Sequence, residues 1–490
     1  MFQELVSYQA ALHPERPAVI LPGRVVSYRA LHRDVERFAL KLRDLVAPDG
    51  VALVGVGRFY KHLVLRTALY KLGVTMASSP PSTLHERAEQ LRPDLVLCEP
   101  ETAPLPANAV VVDGGWWRAP SPDAPVPPLR PSAPDDLTSI VVSSGTTGTP
   151  KKILFRREGG DERLLLLAMN LRLGPGARLL SMMGFDTAGG SAAAFVCWMW
   201  GGAPVADAKT LLDPAVPRRL KPTVLLASPA HLRGLLAQLP HDAEPMPWMS
   251  VWSGGSVLPQ ALADEVRRRL SPQLSVIYGS TEAGSTASGP AYRLQGLEGA
   301  AGYVNPGSQV QIVGDDGRPV PAGQLGEVRV RGPGMASGYM DDEAQSRDSF
   351  RDGWFHPGDI GRLDPDGLLT IAGRTSEMFN WGGVKMAFSS LEEVALACPG
   401  VRDAGACKIA NAEGFEQGWI GVAVGEGFDR KELRRRLAAR FSKLPLRLAV
   451  LPEIPRNPMG KIPREDLADA IARTVPDARA VAAPVPRVEA

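Results

Sequence analysis

A short stretch rich in glycine and hydroxyl side chains, Ser143 to Lys151, has the composition of a phosphate-binding loop. Its sequence, SSGTTGTPK, holds two glycines, three threonines and two serines. Glycines leave the backbone free to turn, so that N–H groups and hydroxyls can converge on the oxygens of one anion. Lys151 adds a positive charge at the end of the stretch. These residues therefore predict a loop that holds a chain of phosphates.

The flanking segments predict two strands that position this loop. Leu137 to Val142 (LTSIVV) is apolar and partly β-branched, as in a buried strand, and Ile153 to Phe155 forms a second short apolar run. We expect the loop to connect these two strands.

The spacing of the glycines excludes the P-loop of nucleotide triphosphatases. That loop has four residues between a glycine and a Gly-Lys pair. Here two residues separate Gly145 from Gly148, and Pro150 precedes Lys151. An ordinary surface turn remains an alternative, because serine, threonine, glycine and proline are common in turns.

Three further segments extend the pattern towards the carboxyl end of the chain. They are YGSTEAG (278–284), GWFHPGDIGRLDPDGLLTIAGR (353–374) and PRNPMGKIPR (455–464). Together with SSGTTGTPK they resemble, in composition and order, the signature motifs of the adenylate-forming superfamily. This AMP-dependent synthetase and ligase family includes acyl- and aryl-CoA ligases, the adenylation domains of peptide synthetases and firefly luciferase. The resemblance implies an enzyme that activates a carboxylic acid with ATP.

The resemblance also implies which residues bind ATP and Mg²⁺. Tyr278 would face the adenine, Asp359 would accept the ribose hydroxyls, and Glu282 would hold Mg²⁺. Mg²⁺ suits such a site because it takes one or two carboxylates together with phosphate oxygens and water. A turn into a capped helix remains an alternative for YGSTE, because Ser or Thr before Glu also caps helices. The full nucleotide-binding set is Ser143, Ser144, Gly145, Thr146, Thr147, Gly148, Lys151, Gly255, Tyr278, Gly279, Thr281, Asp359 and Arg374.

Three residues are implied to be catalytic, namely Lys461, Glu282 and Thr147. Lys461 would contact the reacting carboxylate and the α-phosphate. In phosphate-centred reactions the protein mainly positions the reactants and neutralises charge, so these roles require little covalent chemistry.

The implied substrate pocket is lined by small or apolar residues, and it favours a hydrophobic acyl or aryl acid. Phe185-Asp186 also resembles the pair that binds the substrate ammonium group in amino-acid-activating relatives, so an amino acid is the second candidate. The pocket residues are Phe185, Asp186, Gly189, Ser253, Gly254, Ala283 and Gly284.

The acyl acceptor implied by the resemblance is a thiol, with coenzyme A preferred and a separate carrier protein as the alternative. A second alternative is an inactive homologue that serves as a binding module. Its grounds are three departures from the family pattern: Lys152 in place of glycine, Pro357 in place of threonine, and Ser376 in place of the hinge Asp or Lys.

Alternating helical and strand-like segments predict an α/β fold with a largely parallel sheet. For example, Tyr28 to Leu45 has apolar residues at helical spacing and precedes the apolar run Val51 to Val56. Strand ends followed by turns near residues 143, 184, 253 and 278 are expected to border one crevice. Proline-rich sequence from Pro104 to Pro134 predicts an extended surface connection.

We predict three parts of the chain. Residues 1–374 form a large adenylation domain of parallel-rich sheets with helices and a small β subdomain, in which DPDG (364–367) turns a hairpin. Residues 375–475 form a small mobile α+β domain that follows a hinge at Ser376, and residues 476–490 form a disordered tail. In the small domain, Leu433, Leu437 and Phe441 predict that the basic run KELRRRLAAR is an amphipathic helix with a solvated face.

Composition excludes several other functions. Lys and Arg number 55 against 53 Asp and Glu, so the charge favours neither nucleic acid nor an anionic membrane as a partner. The four cysteines form no CxxC pair and are expected to be reduced core residues of a cytoplasmic protein. The most apolar stretch, 191–206, is interrupted by glycines and proline and is shorter than the roughly 20 residues of a membrane helix.

Overall fold

The computed structural model describes most of the chain. The described residues are 4–102, 105–106, 108–119, 133–143, 150–240, 242–297, 299–375, 378–381, 384–410, 416–441, 446–457, 460–475 and 478. For 378–381, 384–386 and 416 the description covers the backbone alone.

Within these residues the chain forms two compact units. The first comprises the chain up to Gln311, Arg329–Pro357 and Asp364–Leu369, and the second comprises Ile312–Val328, Gly358–Leu363 and the chain from Thr370 onward. The α/β class, with a larger sheet-rich amino-terminal part and a smaller carboxyl-terminal part, is confirmed. The domain boundary after Arg374 stays a prediction.

The first part of the chain supplies a six-stranded sheet, several helices, and its first two strands, which join the larger sheet described below. Its elements are α1 (Leu5–Leu12), β1 (Pro17–Leu21), β2 (Arg24–Ser27), α2 (Tyr28–Leu42), β3 (Val51–Gly55), α3 (Phe59–Lys71), β4 (Thr75–Ser78), α4 (Leu84–Leu91), β5 (Leu95–Cys98), β6 (Ala109–Val111), α5 (Gly114–Arg118), β7 (Leu137–Ser143) and β8 (Lys151–Arg156). The sheet has the order β6-β5-β3-β4-β7-β8 and is parallel except for the last pair. The two strands predicted beside the glycine-rich loop are therefore β7 and β8.

Helix α2 shows why the sequence folds as predicted here. Ser27 caps it by accepting a hydrogen bond from the Ala30 N–H, and Leu31, Val35 and Phe38 are buried on its inner face. The predicted extension to Leu45 is wrong: the helix ends at Leu42, and Leu45 is 42% exposed.

The proline-rich connection is also more structured than predicted. Its described part contains β6 and α5, and two tryptophans of α5 pack on Phe38. Trp117 stacks on that ring with 4.1 Å between centroids. Partial burial of these two large aromatic rings stabilises local structure that the proline content alone would not indicate.

A second sheet of the first unit follows. Its elements are α6 (Gly160–Asn170), β9 (Arg178–Ser181), α7 (Ala188–Met199), β10 (Ala203–Val205), α8 (Lys209–Leu212), β11 (Val224–Ala227), α9 (Pro229–Gln238), β12 (Ser250–Gly254), α10 (Gln260–Arg269), β13 (Leu274–Ser280), β14 (Gly284–Pro290), α11 (Ala291–Leu294) and β15 (Ala300–Val304). Strands β13-β12-β11-β9-β10-β1 are parallel neighbours, and β14 continues from β13 as an antiparallel hairpin. The apolar helix α7 packs inside, where Trp198 donates to the Ala18 carbonyl at 2.8 Å.

The remaining elements lie towards the carboxyl end. They are β16 (Gln309–Val313), β17 (Gly326–Arg331), α12 (Glu343–Ser349), β18 (Phe350–Arg351), β19 (Trp354–Phe355), β20 (Asp359–Leu363), β21 (Leu368–Arg374), β22 (Met378–Trp381), β23 (Val384–Ala387), α13 (Phe388–Leu396), β24 (Val401–Ala410), β25 (Glu416–Val424), α14 (Arg430–Arg440), β26 (Arg447–Leu451) and α15 (Arg464–Thr474). The DPDG segment turns from β20 into β21, as predicted.

In the second unit, helices pack on the sheet β24-β25-β26. Leu433, Leu437 and Phe441 are buried in its core, so the prediction that the basic helix α14 is amphipathic is confirmed. No helix in the described ranges is both long enough and apolar enough to cross a membrane.

Candidate active site

The YGSTEAG segment forms the turn of the β13–β14 hairpin. Tyr278 pairs with Ala287 across the hairpin, and the Ser280 hydroxyl accepts a hydrogen bond from the Ala283 N–H at 3.0 Å. Gly284 begins β14 with φ of +78°, a conformation that favours glycine. The segment is therefore a strand, turn and strand, and not a turn into a capped helix.

Glu282 lies at the tip of this turn and is held from a distant part of the sequence. The residue is 9% exposed, and its Oε1 accepts a hydrogen bond from the Tyr339 hydroxyl at 2.9 Å. Its backbone carbonyl accepts a hydrogen bond from the Ala336 N–H at 2.9 Å. The segment around residues 336–339 thus fixes both the backbone and the carboxylate of Glu282.

Arg163 of α6 ties the same turn to the same segment. Its guanidinium donates to the carbonyl oxygens of Thr281 at 2.6 Å, Gly334 at 3.1 Å and Glu282 at 3.3 Å. Desolvation lowers the pKa of Arg163 to about 10, while the charge of Glu282 acts in the opposite direction, so the guanidinium stays protonated at neutral pH. The sequence did not predict this role, because the charged start of α6 (GDERLLLL) is equally typical of a solvated arginine.

The phosphate-binding lysine predicted from the sequence lies near Glu282. Ser143 and Lys151 face each other across the β7–β8 pair, and the Lys151 Nζ is 4.8 Å from the centroid of the Tyr339 ring. Tyr339 therefore contacts both Lys151 and Glu282. The predicted loop residues Ser144, Gly145, Thr146, Thr147 and Gly148 lie outside the described residues.

The neighbouring Lys152 points to the other face of β8, as expected from the alternation of side chains along a strand. Its Nζ donates to Asp341 Oδ2 at 2.6 Å and to the Gln90 carbonyl at 3.1 Å. Lys152, which departs from the family pattern, thus has an ion pair of its own, and the described interactions of its side chain do not include Tyr339.

The predicted substrate residues of β12 lie at the end of that strand. Ser253 is 1% exposed, and its hydroxyl has no hydrogen-bond partner among the described residues. A Cβ on Gly254 would lie 2.6 Å from Ile277 Cγ2, so this glycine allows β12 and β13 to pack closely. Gly255 has φ of +89°, which favours glycine at the turn.

The turn between β9 and α7 holds Phe185 and Asp186. The Phe185 ring stacks on the buried His62 at 4.1 Å with 6° between the planes. His62 is fixed by the Val56 carbonyl and the Ser78 hydroxyl, and burial lowers its pKa to about 3, so it is neutral at pH 7. Asp186 is half-buried and makes no side-chain hydrogen bond or ion pair within the described part of the chain.

In the second unit, the predicted ribose aspartate and nucleotide arginine lie together. Asp359 is 5% exposed, and its Oδ1 accepts a hydrogen bond from Arg374 Nε at 3.2 Å. Gly358 has φ of +76°, and its carbonyl accepts a hydrogen bond from the Thr375 N–H at 2.8 Å. The charged pair thus lies beside a tight turn.

Lys461, by contrast, is exposed and lies on an irregular segment before α15. Its N–H donates to Asn457 Oδ1 at 3.0 Å, and its carbonyl accepts from the Asn457 N–H at 2.9 Å. Arg456 forms a two-bond ion pair with Asp403, at 2.8 and 2.7 Å, and donates to the Gly460 carbonyl at 2.6 Å. The predicted hinge, Ser376, lies outside the described residues.

The donor set around Glu282 suits Mg²⁺ bound to a nucleotide. The described residues hold no cluster of three or more His, Cys, Asp or Glu that could bind a metal by themselves. Mg²⁺ bound to ATP needs few protein ligands, because phosphates and water supply most of its oxygens. One carboxylate beside a lysine therefore fits MgATP.

Comparison with known proteins matches this chain to AMP-binding enzymes and to ligases of carboxylic acids. A family model described as "AMP-binding enzyme" matches residues 6–340. An indoleacetate–CoA ligase of Aromatoleum aromaticum is 28% identical over 96% of this chain and 98% of its own length. The fatty acid–[acyl-carrier-protein] ligase ScoC of Streptomyces coeruleorubidus is 29% identical over 95% of both chains.

The fold is shared with a solved structure of O-succinylbenzoate coenzyme A synthetase (MenE) from Bacillus subtilis in complex with ATP and magnesium ion. The TM-score is 0.83 at 22% identity, over 95% of this chain and 99% of that chain. The chain therefore belongs to the AMP-binding enzyme family, which confirms its assignment from the sequence to the adenylate-forming ligases.

Proposed function

We propose that this chain activates a hydrophobic acyl or aryl acid with MgATP and transfers the acyl group to coenzyme A. The observation that carries the proposal is the placement of Lys151 and Glu282 around Tyr339 in a member of this family. The relatives that match nearly their whole length are ligases of carboxylic acids with coenzyme A or a carrier protein.

In the first half-reaction, a carboxylate oxygen of the acid attacks the α-phosphorus of ATP. The bond from that phosphorus to the bridging oxygen breaks, and pyrophosphate leaves with the bonding electrons. Lys461 would stabilise the charge that develops between carboxylate and α-phosphate, as a preorganised donor does in other enzymes. The product is an acyl-AMP.

The remaining site residues would bind the nucleotide. Ser143, Lys151 and the loop between them would hold the β- and γ-phosphates, and Thr281 would add a hydroxyl. Tyr278 would face the adenine, while Asp359 would accept the ribose hydroxyls beside Arg374. Glu282 would hold Mg²⁺, which when bound neutralises phosphate charge and favours departure of pyrophosphate.

In the second half-reaction, a thiol loses its proton to water and its sulfur attacks the carbonyl carbon of the acyl-AMP; the bond from that carbon to the phosphate oxygen breaks, and AMP leaves with the bonding electrons. We propose that residues 375–475 move about Ser376 between the two half-reactions, because the role proposed for Lys461 belongs to the first of them alone. A carrier protein is the second candidate acceptor, since ScoC is named for one. The four free, buried cysteines suit a reducing cytoplasm.

The acid is proposed from the residues beside β12 and the β9–α7 turn. Gly189, Gly254 and Ala283 are small, and the Phe185 ring packs on His62. Asp186 has no described partner, so an amino acid whose ammonium group pairs with it is the second candidate substrate.

The experiment is pyrophosphate release with MgATP and a panel of aliphatic, aromatic and amino acids, each with coenzyme A, with a carrier protein, or with neither. We expect turnover with an aliphatic or aromatic acid that rises when coenzyme A is added and gives an acyl-CoA. Asp186→Asn is the matched test variant, and it should leave that turnover unchanged. Preference for amino acids, lost in Asp186→Asn, would contradict the proposed substrate class, and thioester formation on the carrier alone would contradict the proposed acceptor.

A further inference from the structure

We propose that Tyr339 is a positioning residue shared by Lys151 and Glu282. Its hydroxyl fixes the Glu282 carboxylate for Mg²⁺, and its ring holds the Lys151 ammonium for the phosphates. The inference rests on the proposed function, because it concerns how this chain binds MgATP. The sequence did not single out Tyr339, which lies in the segment GMASGYM (334–340).

The hydroxyl contact reaches one of the two carboxylate oxygens. Tyr339 is 7% exposed and donates to Glu282 Oε1 at 2.9 Å. A hydrogen bond to an ionised acceptor is stronger than a neutral one, particularly where water is excluded. Among the described residues no other side chain hydrogen bonds this carboxylate, and we infer that its second oxygen, Oε2, serves the cation.

The ring of Tyr339 contacts a positive charge, the ammonium group of Lys151. The Lys151 Nζ lies 4.8 Å from the ring centroid, within the roughly 6 Å at which an ammonium group is attracted by an aromatic face. Tyr339 thus contacts the ammonium through its ring and the carboxylate through its hydroxyl. The ion pairs of the described residues include none between Lys151 and Glu282, so the two charges share a contact with Tyr339 and not with each other.

The backbone of Tyr339 is fixed from two sides. It forms an antiparallel bridge with Ile153 of β8, and the next residue, Met340, donates to the Lys152 carbonyl at 2.8 Å. The Tyr339 N–H also donates to the Ser346 hydroxyl of α12 at 2.8 Å. Because β8 also carries Lys151, these backbone contacts place the tyrosine beside the lysine.

This arrangement has a specific consequence for nucleotide binding. In MgATP the phosphates and the cation are parts of one ligand, so Lys151 and Glu282 must act on it from adjacent positions. Removal of the hydroxyl should weaken binding of the cation-loaded nucleotide but not of free ATP. Removal of the ring should weaken both.

The test is equilibrium binding of ATP by titration calorimetry, in excess Mg²⁺ and in EDTA, for the full chain and its variants. For Tyr339→Phe we expect the affinity for MgATP to fall about tenfold, as for loss of a hydrogen bond to a charged group, and the affinity in EDTA to stay within about twofold. For Tyr339→Leu the affinity in EDTA should fall as well, about threefold. Tyr339→Phe, which keeps the ring, thus separates the hydroxyl contact with Glu282 from the ring contact with Lys151.

Tyr28→Phe is the matched control, since it removes a buried hydroxyl outside this site that donates to the Gly202 carbonyl at 2.6 Å. It should lower thermal stability without changing the effect of Mg²⁺. If Tyr339→Phe keeps the wild-type affinity for MgATP, or loses affinity equally in EDTA, the inference is overturned. If Tyr339→Leu does not fold, Tyr339→Phe decides the question alone. If ATP binding by the wild-type chain does not depend on Mg²⁺, the proposed function is overturned as well. The wild-type chain therefore tests the proposed function, and the Tyr339 variants test the role of Tyr339.

Discussion

Glu282 and Lys461, the two residues with the most direct implied roles in the reaction, lie in regions built in different ways. Glu282 is 9% exposed, and its turn is held by Arg163, Ala336 and Tyr339, which are far from it in sequence. Lys461 is exposed, and its backbone is paired with Asn457, four residues earlier. Distant segments hydrogen bond Glu282 and its turn directly, whereas distant Asp403 acts on the Lys461 segment through Arg456, which donates to the Gly460 carbonyl.

This difference matches the proposed tasks. A residue that binds Mg²⁺ throughout the first half-reaction benefits from a fixed position, because preorganised charges need no rearrangement when the ligand arrives. A lysine that serves one half-reaction benefits from a support that can move as a unit. Disturbance around Glu282 should therefore change folding and nucleotide binding together, while disturbance at Lys461 should change the reaction rate alone.

The largest expected effect concerns Lys461. Lys461→Ala should lower the rate of adenylation by a factor on the order of 10² to 10³, as for removal of one preorganised donor. The free energy of unfolding should stay within about 0.5 kcal/mol of the wild-type value, because the side chain is exposed. Pyrophosphate release and urea unfolding measure the two quantities. Lys431→Ala, an exposed lysine on α14, is the control, and equal rates for both variants would contradict the assignment.

The next largest effect concerns Arg163, which hydrogen bonds the turn that carries Glu282. Arg163→Met removes the donor to three carbonyl oxygens, those of Thr281, Glu282 and Gly334. We expect the free energy of unfolding to fall by about 2 kcal/mol, and the affinity for MgATP to fall with it, because acceptors lose their partner in a partly buried site. Denaturant unfolding and calorimetry measure both. Arg219→Met, at an exposed arginine, is the control. If Arg163→Met is as stable as this control, Arg163 does not stabilise the turn that carries Glu282.

A third test concerns the buried polar group beneath the Phe185-Asp186 turn. Burial lowers the pKa of His62 from 6.5 to about 3, so the unfolded chain takes up a proton over a pH range where the native chain does not. The free energy of unfolding should therefore fall as the pH falls from about 6.5 towards 3, by up to about 1.4 kcal/mol per pH unit from this group. Urea unfolding at pH 7, 6 and 5 measures the slope. His62→Gln should flatten it and the exposed His85→Gln should not; an unchanged slope in His62→Gln would show that other groups cause the acid sensitivity.

The smallest expected effect separates two adjacent lysines. Lys152→Ala breaks an ion pair with Asp341, whose side chain is 64% exposed, and should cost less than about 1 kcal/mol of unfolding free energy, with adenylation changed by less than about twofold. Lys151→Ala should weaken ATP binding far more, because its ammonium, which lies over the Tyr339 ring, is proposed to hold the phosphates. Calorimetry on both variants makes the comparison. Similar losses would mean that the two faces of β8 are not functionally distinct.

The sequence was a good guide wherever local pattern decides structure. Strands β7 and β8, the hairpin that turns at 364–367 and the amphipathic helices α2 and α14 all follow from periodicity and turn residues, which act within a few positions of the chain. The order of the motifs was sufficient to identify the family. The positions of Glu282, Asp359 and Lys461 could be named from these motifs, although their roles remain predictions.

Tertiary structure alone decided how these residues are supported. Arg163 and Glu282 are 119 residues apart, and Tyr339 and Glu282 are 57 residues apart, so no local pattern could pair them. The same applies to the tryptophans of α5, whose packing on Phe38 overrides a proline-rich composition. Hydrogen bonds and ring contacts of this kind depend on which segments the folded sheets bring together. The sequence by itself therefore determined the strongly periodic elements and the order of the motifs, and the tertiary structure determined the contacts that place a carboxylate and an ammonium group on one tyrosine.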